Sequence, residues 1–358
     1  MKKSLTKIVF VNFLVFLLSI LIIEIFFGNW LSTYNFGSYM REHRLKKNTA
    51  YLNYNNETYH YIYKRNYHGF RGENLDPSHI QAVIIGGSTT DERYKPEEFT
   101  ITENLNTLLR KKDYKFKIIN AGIEGQSTVG HIYNFEHWFP KLKDFSPKLY
   151  IFYVGINDRL KNEDISFDED LNEEGIKKMG PSEALVDNLK SRSFFYDKMR
   201  ILKQKYYLSD SNVMKYDFSL KESEIKNYKY INYNKALAIH DVQYLKYKYK
   251  KKVSNYLKRI EILNNYVIEQ NATPVFINQV GYDGLSNDIL FILNYALAEY
   301  CNKKNIHYID LAKKFDGKVE YFFDGVHTTS AGSSAIAQTI IDDLIEIIKK
   351  EQLFYFAN

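Results

Sequence analysis

Five short apolar runs, set between stretches of helical periodicity, constrain this chain more than any other feature. They are AVII (82–85), FKIIN (116–120), LYIFYV (149–154), PVFIN (274–278) and HYID (307–310), each bounded by turn residues. Amphipathic patterns run near 98–111, 128–143, 252–270, 286–304 and 330–350. Runs that are apolar throughout, rather than alternating, suit strands buried on both faces. Such strands, joined by helices, predict an α/β fold with a doubly wound, mainly parallel five-stranded sheet flanked by helices in three layers. In a sheet of this kind ligands bind beyond the carboxyl ends of the strands. That rule says where to look for chemistry.

The rest of the chain divides around this rhythm. The run IVFVNFLVFLLSILIIEIFF (8–27) is apolar except for Asn12, Ser19 and Glu24, and about 20 such residues cross a bilayer core. A cleaved signal peptide has a shorter apolar region and a small-residue cleavage site, a pattern this run does not follow. Trp30, just beyond it, suits an interfacial anchor. Residues 8–28 therefore read as a retained transmembrane signal-anchor in a bacterial cytoplasmic membrane. On this reading 1–7 form a cytoplasmic tail and the bulk of the chain is extracytoplasmic. Lys2, Lys3 and Lys7 favour that orientation, whereas Arg41, Arg44, Lys46 and Lys47 oppose it. Glu24 is expected to snorkel toward the headgroups, with contact to a partner helix as the alternative.

A polar, Tyr-rich lead-in occupies 29–80. Between 161 and 251 no convincing core strand occurs, although SRSFFYDKMRILKQKYY (191–207) and the basic YLKYKYKKK (244–252) do. A structureless loop of that length is improbable inside a compact domain, so a largely helical insertion is expected. Its basic stretch reads either as a solvated helix face or as a seat for an anionic glycan or lipid headgroups. The core domain is then 81–160 together with 252–350, with a C-terminal tail at 351–358.

Composition excludes some chemistries. Cys301 is the only cysteine, which rules out an intramolecular disulfide and a thiolate zinc cluster. It lies in the helical pattern LFILNYALAEYC (290–301), where a buried structural thiol is expected. A net charge of +6 is too modest to indicate nucleic acid.

Four turns carry unusual residues. Ser88 follows the first strand in GGSTTDE, and Gly122 and Gly125 follow the second in NAGIEGQS. Asn157 and Asp158 follow the third in VGINDR, and FFDGVHTTSAG supplies Asp324 and His327 before the last helix. A dinucleotide fingerprint would need a third glycine after GGS, and a P-loop would need a Lys–Ser/Thr pair; both are missing. There is no H-E-x-x-H helix, and His131 and His137 fall on an amphipathic helix that explains them structurally. A nucleophile reading uses all four turns. Serine needs a base, and the base needs a partner that fixes its tautomer. Oxyanion charge needs preorganised donors, which the N–H groups of Ser88 and Gly125 and the Asn157 amide would supply. The alternative for each residue taken singly is structural: Ser88 as a helix cap, the glycines as turn formers, His327 as a loop histidine.

The ordered set GGST, NAGIEG, VGIND and DGVH resembles the SGNH (GDSL-type) hydrolase family. The resemblance implies an SGNH/flavodoxin-like three-layer fold and a serine esterase needing no cofactor and no metal. It makes Ser88 the nucleophile, His327 the base, Asp324 its partner, and Ser88, Gly125 and Asn157 the oxyanion hole. NYHGFRGENL (66–75) is similar to the lead-in of membrane-anchored bacterial members. Gly87 stands where the family more often has Asp. Asp91 and Glu92 are expected to be structural, and Arg71 to form a structural ion pair. The expected substrate is an acylated carbohydrate, O-acetylated in the envelope or secreted, with an O-acyltransferase or a non-catalytic glycan-binding scaffold as alternatives.

Overall fold

The five apolar runs form one sheet. In the computed structural model, which describes residues 2–28, 30, 47–54, 57–115, 117–160, 181–206, 213–218 and 227–353, the lead-in supplies strands β1 (Lys47–Tyr54) and β2 (Glu57–Lys64). The runs supply β3 (Ala82–Gly86), β4 (Ile118–Asn120), β5 (Leu149–Val154), β7 (Thr273–Asn278) and β8 (His307–Ile309), while β6 (Met214–Phe218) belongs to the insertion. The main sheet has the order β4-β3-β5-β7-β8, and every pairing in it is parallel. The order steps outward from β3 in both directions, which makes the sheet doubly wound.

The helices are α1 (Lys2–Phe27), α2 (Ser88–Asp91), α3 (Ile101–Lys111), α4 (Thr128–Tyr133), α5 (Pro181–Arg192), α6 (Phe194–Tyr206), α7 (Tyr233–Ile239), α8 (Val242–Lys248), α9 (Lys250–Glu269), α10 (Asp288–Lys304), α11 (Leu311–Lys314) and α12 (Ser330–Lys350). Successive strand side chains point to opposite faces, so each strand feeds two cores. Ile84, Ile151 and Val275 pack with α3, α10 and α12 residues such as Leu105, Leu290 and Ile340 on one face. Val83, Phe152 and Phe276 pack with Phe135, Tyr256 and Leu263 on the other. The edge at β4 is covered by Asn106 of α3, whose side chain accepts from Ile118 N–H and donates to its carbonyl at 2.8 and 3.0 Å. That closes a place where another strand would add.

A second sheet, of order β2-β1-β6, accompanies the first. β1 and β2 form an antiparallel hairpin, and β6 joins β1 in parallel. The described part of the insertion is therefore helical apart from this one strand, which pairs with the lead-in and not with the main sheet. Ala50, Leu52, Tyr61 and Tyr63 bury its inner face against Phe323, Tyr94, Tyr216 and Phe218. In β2, Tyr59, Tyr61 and Tyr63 share this inner face, while Ile62 stands exposed on the other.

Within α1, Lys7–Phe27 has a mean hydropathy of 2.8 and is unburied. At 1.5 Å per residue its 21 residues span roughly 31 Å, the thickness of a bilayer core. Glu24, expected to snorkel, instead accepts hydrogen bonds from Trp30 Nε1, Ser193 Oγ and the N–H groups of Phe194 and Phe195. Four donors at 2.6–3.1 Å satisfy the carboxylate locally.

Candidate active site

β3 ends at Gly86, and Gly87 turns the chain into α2, whose first residue is Ser88. The N–H groups that open a helix have no partner within it, so the Ser88 amide is available to an outside acceptor. His327 Nε2 lies 2.9 Å from Ser88 Oγ, and His327 Nδ1 lies 2.7 Å from Asp324 Oδ2. The other carboxylate oxygen accepts from the N–H groups of Val326 and His327, both at 2.8 Å. The DGVH turn thus fixes Asp324 through its own backbone and aims one oxygen at the imidazole. Burial raises the pKa of Asp324. The hydrogen bond to His327, the imidazole's charge and the two amides outweigh it, and the carboxyl sits below the usual 3.8. The Tyr94 ring leans on the imidazole, with centroids 4.5 Å apart.

Opposite the histidine, three loops converge on Gly87. The Asn157 side chain, just past β5, donates to the Gln126 carbonyl at 2.8 Å. A Cβ on Gly87 would lie 2.4 Å from Asn157 Nδ2 and 2.7 Å from the Gln126 oxygen. Glycine is therefore required at 87 by close approach. Gly125 adopts φ 78°, which side chains with a Cβ disfavour. The structure brings Ser88, His327 and Asp324 into one hydrogen-bonded chain and seats Asn157 and the 125–126 turn beside the serine loop.

Residues without a local motif complete this arrangement. Gln279, just beyond β7, donates to Thr89 Oγ1 and accepts from Ile156 N–H, both at 2.7 Å. Asp158 accepts from Thr128 Oγ1 at 2.5 Å and Arg259 Nη2 at 3.1 Å, which anchors the Asn157 turn. Arg65 and Lys95 are the larger finding. Arg65 Nη1 pairs with Asp91 at 2.9 Å with both side chains buried, and Tyr63 donates to the same carboxylate. Lys95, 1% exposed, donates to Glu92 at 2.8 Å, Ser333 at 2.6 Å, and Thr328 Oγ1 and the Thr329 carbonyl at 3.2 Å. The acidic pair after Ser88 is structural, as expected from the sequence. Its partners come from sequence positions that no short motif could reveal.

Arg71 differs from expectation. Its guanidinium donates to the main-chain carbonyls of Asp91 and Lys95 rather than to a carboxylate. His131 is buried in α4. Burial pushes the Cys301 thiol up to about 12, which leaves it unreactive. Among the described residues no three His, Cys, Asp or Glu side chains converge as metal ligands.

The GDSL-like lipase/acylhydrolase family model matches residues 82–340. The chain belongs to this family. It is a serine esterase of the SGNH type, and its all-parallel sheet flanked by helices is that family's fold. Solved structures similar to the esterase include a member of the lipolytic protein G-D-S-L family from Veillonella parvula, at 14% identity, covering 74% of this chain and 97% of that one, with a TM-score of 0.38. Another is an acetyl xylan esterase from Geobacillus stearothermophilus, at 12% identity, covering 74% and 96%, with a TM-score of 0.40. Comparison with curated proteins found no match.

Two predictions follow from the buried pairs. Lys95→Met leaves Glu92 buried without its cation, and Arg65→Met leaves Asp91 with only the more distant Arg93, at 3.7 Å. Each is expected to cost the esterase about 3–5 kcal/mol, measured by denaturant unfolding of the detergent-solubilised full chain. Losses below about 1 kcal/mol, the scale of a surface pair, would show that the pairs hold nothing. Burial raises the pKa of Asp91, but Arg65, Arg93, Arg71 and Tyr63 bring it below 3.8. Its contribution is then complete above the unfolded value and drains away as pH falls through the folded one. Melting temperature should decline more steeply below pH 3.8 in the wild type than in Asp91→Asn; parallel curves would refute the linkage.

Proposed function

We propose that this esterase is anchored in the bacterial cytoplasmic membrane by residues 8–28 and removes O-acyl groups, O-acetyl above all, from an envelope or secreted glycan through an acyl-enzyme. The observation that carries the reading is the unbroken chain Ser88 Oγ, His327, Asp324 at 2.9 and 2.7 Å. Those are the separations a nucleophile, its base and the orienting carboxylate need.

In the first step His327 Nε2 takes the Ser88 proton as Oγ attacks the ester carbonyl carbon. The carbonyl oxygen, now anionic, is held by the N–H groups of Ser88 and Gly125 and by the Asn157 amide. The tetrahedral species collapses, His327 protonates the departing alcohol, and the acyl group remains on Ser88. Water, losing its proton to His327, attacks that ester, and collapse of the second tetrahedral species returns the proton to Ser88. Asp324 stays ionised throughout, accepting from Nδ1 and stabilising the imidazolium. Asp91 and Glu92 are neutralised by Arg65 and Lys95, so the acidic pair does not oppose the oxyanion.

A carbohydrate substrate suits the wall beside the histidine. Tyr94 meets Tyr216 at 4.7 Å and Phe218 at 5.5 Å, and Phe218 stacks on Phe323 at 5.1 Å. Tyr94, Tyr216 and Phe218 are half-buried, and the Tyr94 hydroxyl donates to Glu124, which pairs with Arg93. Ring faces with polar groups at their edge form the kind of surface that takes a sugar ring.

Ser88→Ala and His327→Ala are each expected to abolish hydrolysis of a small acetyl ester while the fold persists by circular dichroism; wild-type turnover in both would overturn the assignment. Asn157→Ala should lower kcat roughly 10²–10³-fold. Gly87→Ala should lower it too, because the added Cβ displaces the Asn157 amide and the Gln126 carbonyl; an unchanged kcat would place the oxyanion elsewhere. Mass spectrometry of glycans from cells carrying Ser88→Ala tests the substrate. Gain of acetyl groups supports the esterase, loss indicates transfer to a sugar hydroxyl, and no change favours a non-catalytic role.

A further inference from the structure

We infer that the helical pair α5–α6 is a membrane-surface element, lying in the bilayer interface where α1 leaves it and clasped there by Glu24. The inference rests on the anchor reading of α1 and adds to it a second contact with the same bilayer.

The joint between α5 and α6 is fixed to the last turn of α1. Glu24 accepts from Ser193 Oγ at 2.6 Å and from the first N–H groups of α6, Phe194 at 2.9 Å and Phe195 at 3.1 Å. A carboxylate at that position satisfies orphan amides and complements the helix dipole. Arg192 donates to the Trp30 carbonyl at 3.3 Å, and the Phe27 and Phe194 rings lie 5.6 Å apart. Glu24 stands one turn before the end of the apolar stretch Lys7–Phe27. Whatever depth that end occupies, the joint occupies too.

From this joint two helices present apolar side chains that no element among the described residues covers. On α6, Phe195, Met199 and Leu202 are 37%, 65% and 47% exposed; at 3.6 residues per turn they fall within roughly 60° of one another. On α5, Leu185, Val186 and Leu189 are likewise exposed. Cations flank both stripes: Lys198 sits over the Phe194 ring and Lys190 over the Tyr196 ring. Helices with an apolar stripe bordered by lysines and aromatics settle at the boundary between headgroups and acyl chains. The occupant of these faces is therefore lipid. The continuity with α1 decides for lipid over a soluble partner, because the stripes begin at the level where the spanning helix ends.

The test uses the full chain in nanodiscs of phosphatidylcholine and phosphatidylglycerol, 3:1, with Cys301→Ala removing the native thiol. Nitroxides are placed singly at Met199→Cys, Leu18→Cys within the span, and Tyr247→Cys, a residue 81% exposed on α8. Collision rates with oxygen and with a water-soluble nickel chelate are compared. At 199 oxygen is expected to exceed the chelate several-fold, as at 18, while 247 shows the reverse. A water-like result at 199 with a lipid-like result at 18 overturns this inference and spares the anchor. Water-like results at both overturn the anchor and the inference together. Spin–spin broadening at 199 that disappears on dilution with unlabelled chain means that a second copy covers the face, and also overturns it.

Discussion

The buried pair Arg65–Asp91 holds the serine loop in place, and most of the site depends on it. Asp91 closes α2, three residues after Ser88, and one guanidinium reaches it from the lead-in. The same Arg65 donates to the Gly122 and Gly69 carbonyls, so one cation joins three segments distant in sequence. Lys95 does the equivalent on the far side, tying Glu92 to Thr328 and Ser333 beside His327. Charges taken from water are costly unless every lone pair and proton finds a partner. Here they do, with Tyr63, Thr328 and Ser333 completing the set. The Ser88 turn is thereby wedged between the lead-in and the histidine loop, with little freedom left to Ser88.

Burial periodicity made the main sheet legible from sequence alone. AVII and LYIFYV lack polar residues because both faces are covered, and Val83 and Ile84 do point into different cores. The four turns stood out because each sets Ser, Gly, Asn, Asp or His at a strand end or before the last helix, and the sheet brings them to one rim. The second sheet was not. β1 and β2 bury one face only. Because tyrosines stand there in β2 in place of aliphatic residues, while Ile62 is exposed on the other face, the contrast between core and solvent fades. β6 is five residues long and pairs with β1 across more than 150 positions, so no local pattern announces it. Arg65, Lys95 and Gln279 were hidden for a similar reason: a buried cation is defined by what surrounds it, and those neighbours come from elsewhere in the chain. Of the two readings open to Glu24, the structure shows contact with a neighbouring helix, because α6 brings it donors that an isolated α1 would lack.

That small sheet gives the insertion a place in the site. Through Tyr216 and Phe218 it packs on Tyr94, which packs on His327, and through Phe218 on Phe323, the residue before Asp324. A strand contributed from 214–218 therefore forms part of the wall around the histidine. Loops and insertions at the carboxyl rim of an α/β sheet are where such folds vary their chemistry. On the proposed mechanism acyl transfer makes its demands on Ser88, Asn157 and His327, and this wall is left to contact the rest of the substrate.

The position of Gly87 follows from the same crowding. Asn157 can approach the serine loop only because nothing projects from residue 87, and the Gln126 carbonyl holds the Asn157 amide from the other side. A side chain at 87 would need either the amide or the 125–126 turn to retreat, and both are the groups proposed to hold the oxyanion. Close packing there sets the residue, because the Asn157 amide and the Gln126 carbonyl already fill the space a Cβ would take. Glycine at 87 is thus the consequence of drawing three strand ends to a single point, and the proximity that excludes a Cβ is the proximity that an oxyanion donor requires.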